Sequence, residues 1–288
     1  MERFPLKGRQ VLFCTLFIGA MALLLASHDT VALAVREGLL LCGQSVIPAL
    51  FPLFVTASLA MGSGLGEMLP LPWAALFLGL VGGYPVGAKT VAELVRSGTV
   101  KQQDAQKLLL CCNNAGPAFI LGIAGYGVFQ SAAAGWALYA IHAVSALALY
   151  GLFSRGTAVA AVRRTPPPFA VVFVEAVRSG VAAMANICGF VVLFLVMLRL
   201  LTTYGGVTHP LLLGAVELTN GILALPNTAD GFVMAAALLG WGGLSVHCQA
   251  AAVLEGSGLR LVPYLLAKLV QAGLSAGLAF AVRGCFFA

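Results

Sequence analysis

The sequence predicts an all-α polytopic membrane protein. Hydrophobic residues make up 60% of the chain and charged residues 9%, where a soluble domain carries roughly 25% charged residues. Mean hydropathy is +0.99. The apolar residues are gathered into long segments, and a bilayer requires about 20 such residues per helix. The net charge of +6 does not point to nucleic acid, because the cations lie between apolar segments, where they set orientation in a lipid bilayer.

Taken in order, the first apolar segment follows Arg3, Lys7 and Arg9. Leu24 stands where a cleavage site needs a small residue, so a retained helix is expected over Gln10–Ala26, leaving the bilayer at Ser27, His28 and Asp29. A second helix is expected over Gly38–Met61 and contains Pro48 and Pro52, with a polar turn at Gly62–Glu67. Pro70–Ser97 reads as a helical hairpin that enters and returns on one side. Its arm Trp73–Val81 is too short to cross, and its second arm, Ala88–Val95, is amphipathic. Asp104 suits the N-cap region of the next helix. That helix is interrupted at Asn113–Pro117, ends near Val128, and is followed by one over Ser131–Phe153.

Ser154–Pro168, with three arginines and three consecutive prolines, is the one clear linker. The plan then repeats: a long helix over Phe169–Leu201, a hairpin over His209–Pro226, a broken helix over Ala229–Leu254 and a last helix over Val262–Val282. The expected organisation is an extra N-terminal helix (1–37), a first repeat (38–153), a cytoplasmic linker (154–168) and a second repeat (169–288).

Four polar interruptions fall inside hydrophobic sequence: GGYPVGAK (82–89), CCNNAGP (111–117), ELTNG (217–221) and GWGGLSVHCQ (240–249). Proline removes a backbone donor, and unsatisfied polar groups are costly in hydrocarbon unless protein, water or ligand meets them. Paired interruptions in corresponding positions of two halves point to a transporter's binding site.

Each interruption supplies candidates. At the first tip, Gly82, Gly83 and Gly87 permit the turn, Tyr84 is a binding candidate, and Lys89 adds a charge near a helix N-terminus that favours anions; Lys89 at the interface is the bland alternative. Asn113 and Asn114, followed by the break at Gly116, offer carboxamides to a substrate or a sodium ion, or else clasp neighbouring helices. Glu217 is the acid within an apolar run of the second half, placed to bind a coupling cation, take a proton or pair with Lys89; Thr219 and Asn220 follow it, and a structural cap is the alternative. Ser245, His247 and Gln249 alternate as though along an unwound segment facing one cavity. His142 and His209 read as structural. The seven cysteines include no CxxC and read as packing residues, so no metal or cofactor is expected beyond a coupling Na+ or H+. No P-loop, HExxH or Gly-x-Ser-x-Gly is present, which argues against an enzyme and against an ATP-driven pump within this chain.

With a cytoplasmic N-terminus and both hairpins re-entrant, Arg3, Lys7, Arg9, Lys89, Arg96, Lys101, Lys107, Arg155, Arg163, Arg164, Arg178, Arg260 and Lys268 fall inside, thirteen of sixteen cations. Arg36, Arg199 and Arg283 fall outside. The second repeat then enters from the side opposite the first, an inverted repeat.

GGYPVGAK, CNNAGPAFI and GGLSVHCQ resemble, in order and spacing, the signatures of nucleoside-recognition (Gate) domain membrane proteins, and among them the sporulation integral membrane proteins of the YlbJ type. The likeness runs from about Gly38 to Ala281. It implies a fold like that of concentrative nucleoside transporters, with two re-entrant hairpins and two broken helices. It also implies movement of a small planar anion, dipicolinate, across a bacterial cytoplasmic or outer forespore membrane during sporulation. A nucleoside transporter of the same fold and a non-transporting scaffold of spore assembly are the alternatives carried alongside, and either reading allows an oligomer.

Overall fold

The structure is a computed structural model that describes residues 6–64, 71–153 and 167–287. Among the described residues there is helix and no strand. Among the described residues five helical stretches are long and apolar enough to cross a membrane: Gln102–Val128, Ala132–Phe153, Phe169–Gly205, Ala229–Leu254 and Leu261–Cys285. Gln10–Ala26 with His28–Val46 is a bent pair, apolar enough to make a sixth if it counts as one span.

Helix α1 (Leu6–Ala26) presents apolar side chains on all sides and carries almost no buried surface. The chain was expected to leave the bilayer at Ser27–Asp29 and re-enter at Gly38. Instead it turns by 86° and starts α2 (His28–Leu41) at once. The Ser27 hydroxyl lies 2.8 Å from that of Tyr204, which pins the elbow, and Asp29 complements the positive end of the new helix. Five π-helical residues, Cys42–Val46, join α2 to α3 (Ile47–Gly62). Pro48 has no N–H for the carbonyl four residues back, and a π-bulge is a common way of absorbing such a gap. The polar turn lies partly, and the linker almost wholly, outside the described residues.

The first hairpin consists of α4 (Leu71–Gly82) and α5 (Val86–Arg96). At 12 and 11 residues these are about 18 and 16 Å long, each short of a hydrocarbon core of about 30 Å. α6 (Gln102–Cys112) follows, then four extended residues, then α7 (Pro117–Phe119), which continues as a π-helix to Val128. Gly79 of α4 and Gly87 of α5 lie so close to the end of α6 that a Cβ on either would overlap the Cys112 carbonyl. α8 (Ala132–Phe153) returns across the membrane.

The second half opens with α9 (Phe169–Gly205), 37 residues, which packs along α2 and α3 and ends at Gly206 in the left-handed region. The second hairpin is α10 (Pro210–Val216) and α11 (Leu218–Leu223), with Glu217 at its tip as expected. α12 (Ala229–Trp241) and α13 (Gly243–Leu254) form the second broken helix, and α14 (Leu261–Val282) folds back along α12.

Among the described residues the two halves share three apolar cores, one of which joins Cys42, Phe54, Leu78 and Val86 to Met184, Ile187 and Val191. Another is a cluster around Tyr84, Ile120, Phe129, Leu138, Phe232 and Leu239. The third gathers Leu76, Val91, Leu108, Leu149, Leu254 and Tyr264. At one end of α14 the halves are also joined by polar bonds. Arg96 donates to the carbonyls of Val253 (2.7 Å) and Glu255 (2.6 Å). Gln106 and Arg260 exchange two bonds, of 3.0 and 2.7 Å, and Gln102 donates to the Gly258 carbonyl. At the other end Phe129, Phe232, Phe286 and Phe287 pack with ring centres 5.5–5.8 Å apart.

Candidate functional site

All four interruptions meet. At the first hairpin tip Gly83 has φ +77°, and the Tyr84–Pro85 bond is cis. The tip lies on the first break: a Cβ on Gly83 would sit 3.0 Å from the Gly116 amide nitrogen. The second half repeats the relation. Gly242 and Gly243, both at positive φ, break the helix, and a Cβ on Gly243 would lie 3.0 Å from the Gly214 carbonyl oxygen and 3.0 Å from the Leu218 nitrogen. The halves cross at Tyr84. Its hydroxyl donates to the Leu239 carbonyl at 3.0 Å, near the end of α12, where the chain turns away at Gly242.

Between the tips and breaks lies a cavity of about 70 Å³. Gly83, Tyr84, Gly116, Glu217, Thr219, Ser245 and Gln249 supply its polar wall. Val46 and Leu50 from the α2–α3 unit, Phe119, and Ile187 and Val191 from α9 supply apolar surface. It has room for a few waters, at about 10–15 Å³ each by this measure, and falls below the roughly 300–1,000 Å³ of pockets that enclose drug-sized ligands. A ring-sized solute therefore requires the hairpins to part.

Glu217 is 2% exposed and is the charged side chain of this wall. It accepts from the amides of Thr219 (3.1 Å) and Asn220 (2.8 Å) and from the Asn220 carboxamide (2.7 Å), so it caps α11. The Ser245 hydroxyl is buried with no hydrogen-bond partner among the described residues. Buried polar atoms without partners are uncommon, and this one lines the cavity.

The expectation that Ser245, His247 and Gln249 share one face is corrected. Residues 243–254 are α-helical, so only the i, i+4 pair Ser245 and Gln249 faces the cavity. His247 points away, its ring edge-on to Trp241 and its Nδ1 3.3 Å from the Tyr264 hydroxyl.

Asn113 and Asn114 also turn away from the cavity, into a buried polar layer. Asn113 donates to the Tyr264 hydroxyl at 2.7 Å. Asn114 donates to the Cys111 carbonyl at 2.7 Å, and its Oδ1 accepts from Gln271 (3.0 Å) and from Lys268 (3.3 Å). Lys268 also donates to Gln271 Oε1 at 2.7 Å, and Ser145 and Ser275 extend the layer. His142 Nε2 accepts from the Ala115 amide at 3.0 Å.

Lys268 is the functional candidate that sequence reasoning missed. It was assigned to the cytoplasmic cations, yet it is 0% exposed, a full turn and more inside α14. A signal was there: Tyr264, Lys268, Gln271 and Ser275 fall at i, i+4, i+7 and i+11, one polar stripe on an apolar helix.

Lys89 stands apart. It donates to the Ser179 hydroxyl and lies 3.8 Å from Glu93, with its side chain 25% exposed, and it does not line the cavity. Lys89 and Glu217 do not pair, since each is bonded elsewhere. Gly87 backs onto Cys112 rather than facing the cavity.

The chain is similar to the sporulation integral membrane protein YlbJ of Bacillus subtilis (strain 168), with 26% identity over 331 residues, covering 92% of this chain and 80% of that protein. No protein-family model matches, and no solved structure matches. That similarity and the five long apolar helices make this a multi-pass integral membrane protein.

Proposed function

We propose that the chain is a secondary transporter that carries a small planar carboxylate across a membrane by alternating access. The observation that carries this reading is the convergence of two hairpin tips and two helix breaks, one of each from either half, on a single cavity. A scaffold gains nothing from breaking two helices and exposing Ser245, Gln249 and Glu217 to one space. Irregular backbone at membrane depth is tolerated where it lines a cavity.

The two halves are read as inverted repeats with re-entrant hairpins. The short arms α4, α5, α10 and α11 support this. So does the cation split, which stands at twelve to three once Lys268 is removed from the loops and α1 and the α2–α3 unit are counted as two separate spans. The name of the similar protein supports a role in sporulation, and the motif resemblance suggests dipicolinate as substrate. The test is uptake into proteoliposomes of the purified chain across pyridine dicarboxylates, monocarboxylate analogues and nucleosides. Saturable dipicolinate uptake is expected, weaker for the monocarboxylates. Nucleoside uptake that ignores dipicolinate would replace the substrate, and no flux of any of them would refute transport.

A further inference from the structure

We propose that Lys268 carries the coupling proton of this transporter. The proposal rests on the transport reading above and gives it a driving ion.

Lys268 is fully buried beside the first helix break. Its ammonium donates to two neutral carboxamide oxygens, Asn114 Oδ1 and Gln271 Oε1, and makes no ion pair among the described residues. The rings of Tyr84 and Tyr264 lie near it, with centroids 5.7 and 5.9 Å away. It sits where α6 ends, and helix C-terminal ends and unwound backbone are where broken-helix transporters hold their coupling cation. Here that place is occupied by a cation tethered to α14. Of the two basic residues with long side chains, lysine is the one that gives up its charge when buried; arginine does not.

Tyr84 joins this charge to transport. Its ring faces Lys268, its hydroxyl holds the end of α12, and it lines the cavity with Glu217. The other titratable groups facing Lys268 are Cys111 and Cys112 on α6, His142 on α8, His247 on α13 and Tyr264 on α14 itself. In one cycle an Nζ–H bond breaks, the ammonium becomes an amine, and the proton passes to water in one compartment. A proton from water in the other compartment restores the ammonium. One proton and one charge thus cross with each return of the hairpins.

Two measurements on the full chain test this. The first is melting temperature in detergent between about pH 6 and pH 9 for wild type, Lys268→Arg and Lys268→Met. Arginine keeps its charge throughout, so a titrating Lys268 makes the wild-type-minus-arginine difference drift by about 3–5 °C per pH unit. A constant difference overturns the proposal. The second is the ratio of dipicolinate uptake with an imposed pH gradient to uptake without one, which is independent of overall activity. Wild type is expected to give a ratio several-fold from one, and Lys268→Arg a ratio near one. Equal ratios overturn the assignment to Lys268 alone. Absence of wild-type flux overturns the transport reading and the coupling with it.

Discussion

Removing the Tyr84 hydroxyl isolates the crossing point of the two halves. Tyr84→Phe keeps the ring against Lys268 and deletes the 3.0 Å bond to the Leu239 carbonyl. Leu239 lies near the end of α12, and Tyr84 and Leu239 are both buried. A buried acceptor left without its donor costs about 1–3 kcal/mol, although interhelical bonds in membranes average nearer 0.6 kcal/mol. Taking about 1–2 kcal/mol, and about 2–4 °C per kcal/mol for a chain of this size, the melting temperature should fall by about 2–8 °C. Tyr139→Phe is the control: its hydroxyl reaches the Leu80 carbonyl only at 3.5 Å in a partly exposed position, so it should shift the melt by less than about 1 °C. Thermal unfolding followed by intrinsic fluorescence reads both. A Tyr84→Phe melt indistinguishable from that of Tyr139→Phe would refute the claim that this hydroxyl ties the halves together.

Two glycines should respond in opposite senses to the same methyl group. Gly87→Ala drives a Cβ into the Cys112 carbonyl, and since overpacking costs about 1–3 kcal/mol even where only side chains must yield, the melt should drop by about 2–12 °C. Gly273→Ala meets nothing within 4 Å on α14 and should raise stability by about 0.5–1 kcal/mol. In a background without other cysteines, Gly98→Cys should react with an impermeant maleimide from the side opposite to Cys285, which is exposed near the C-terminus; labelling from one side would contradict the inverted arrangement.

The interruptions were legible because Gly, Pro and Asn inside apolar sequence have few other uses. GGYPVG, CNNAGP, ELTNG and GWGGLS all mark ends of helices in the structure. Side-chain direction was harder. Ser245 and Gln249 face the cavity and His247 does not, because the chain recovers helical geometry immediately after Gly243; alternation in sequence cannot distinguish that from an extended segment. Glu217 was read as coupling residue or cap, and the structure shows the cap. Lys268 was hidden by the habit of assigning every cation to a loop; the polar stripe it belongs to becomes visible only when α14 is read by face. The start of α2 was missed because His28 and Asp29 look like an exit, whereas the chain departs from helical geometry only at Ser27 and begins α2 at His28.

The two ends of α14 respond to temperature in unlike ways. Its 22 residues span about 33 Å, with Arg96, Gln102 and Gln106 bonded to loop backbone at one end and four phenylalanines at the other. Contacts driven by apolar hydration weaken on cooling, while directional bonds to carbonyls do not share that dependence. Cooling is therefore expected to loosen the phenylalanine end more than the bonded end. Because the bonded end grips carbonyls rather than side chains, it depends on the identity of the arginine and two glutamines opposite more than on the side chains of Val253, Glu255 and Arg260, whereas Gly256 and Gly258, at φ +71° and +72°, resist replacement. A chain adapted to cold surroundings would be expected to change its phenylalanines before its glutamines.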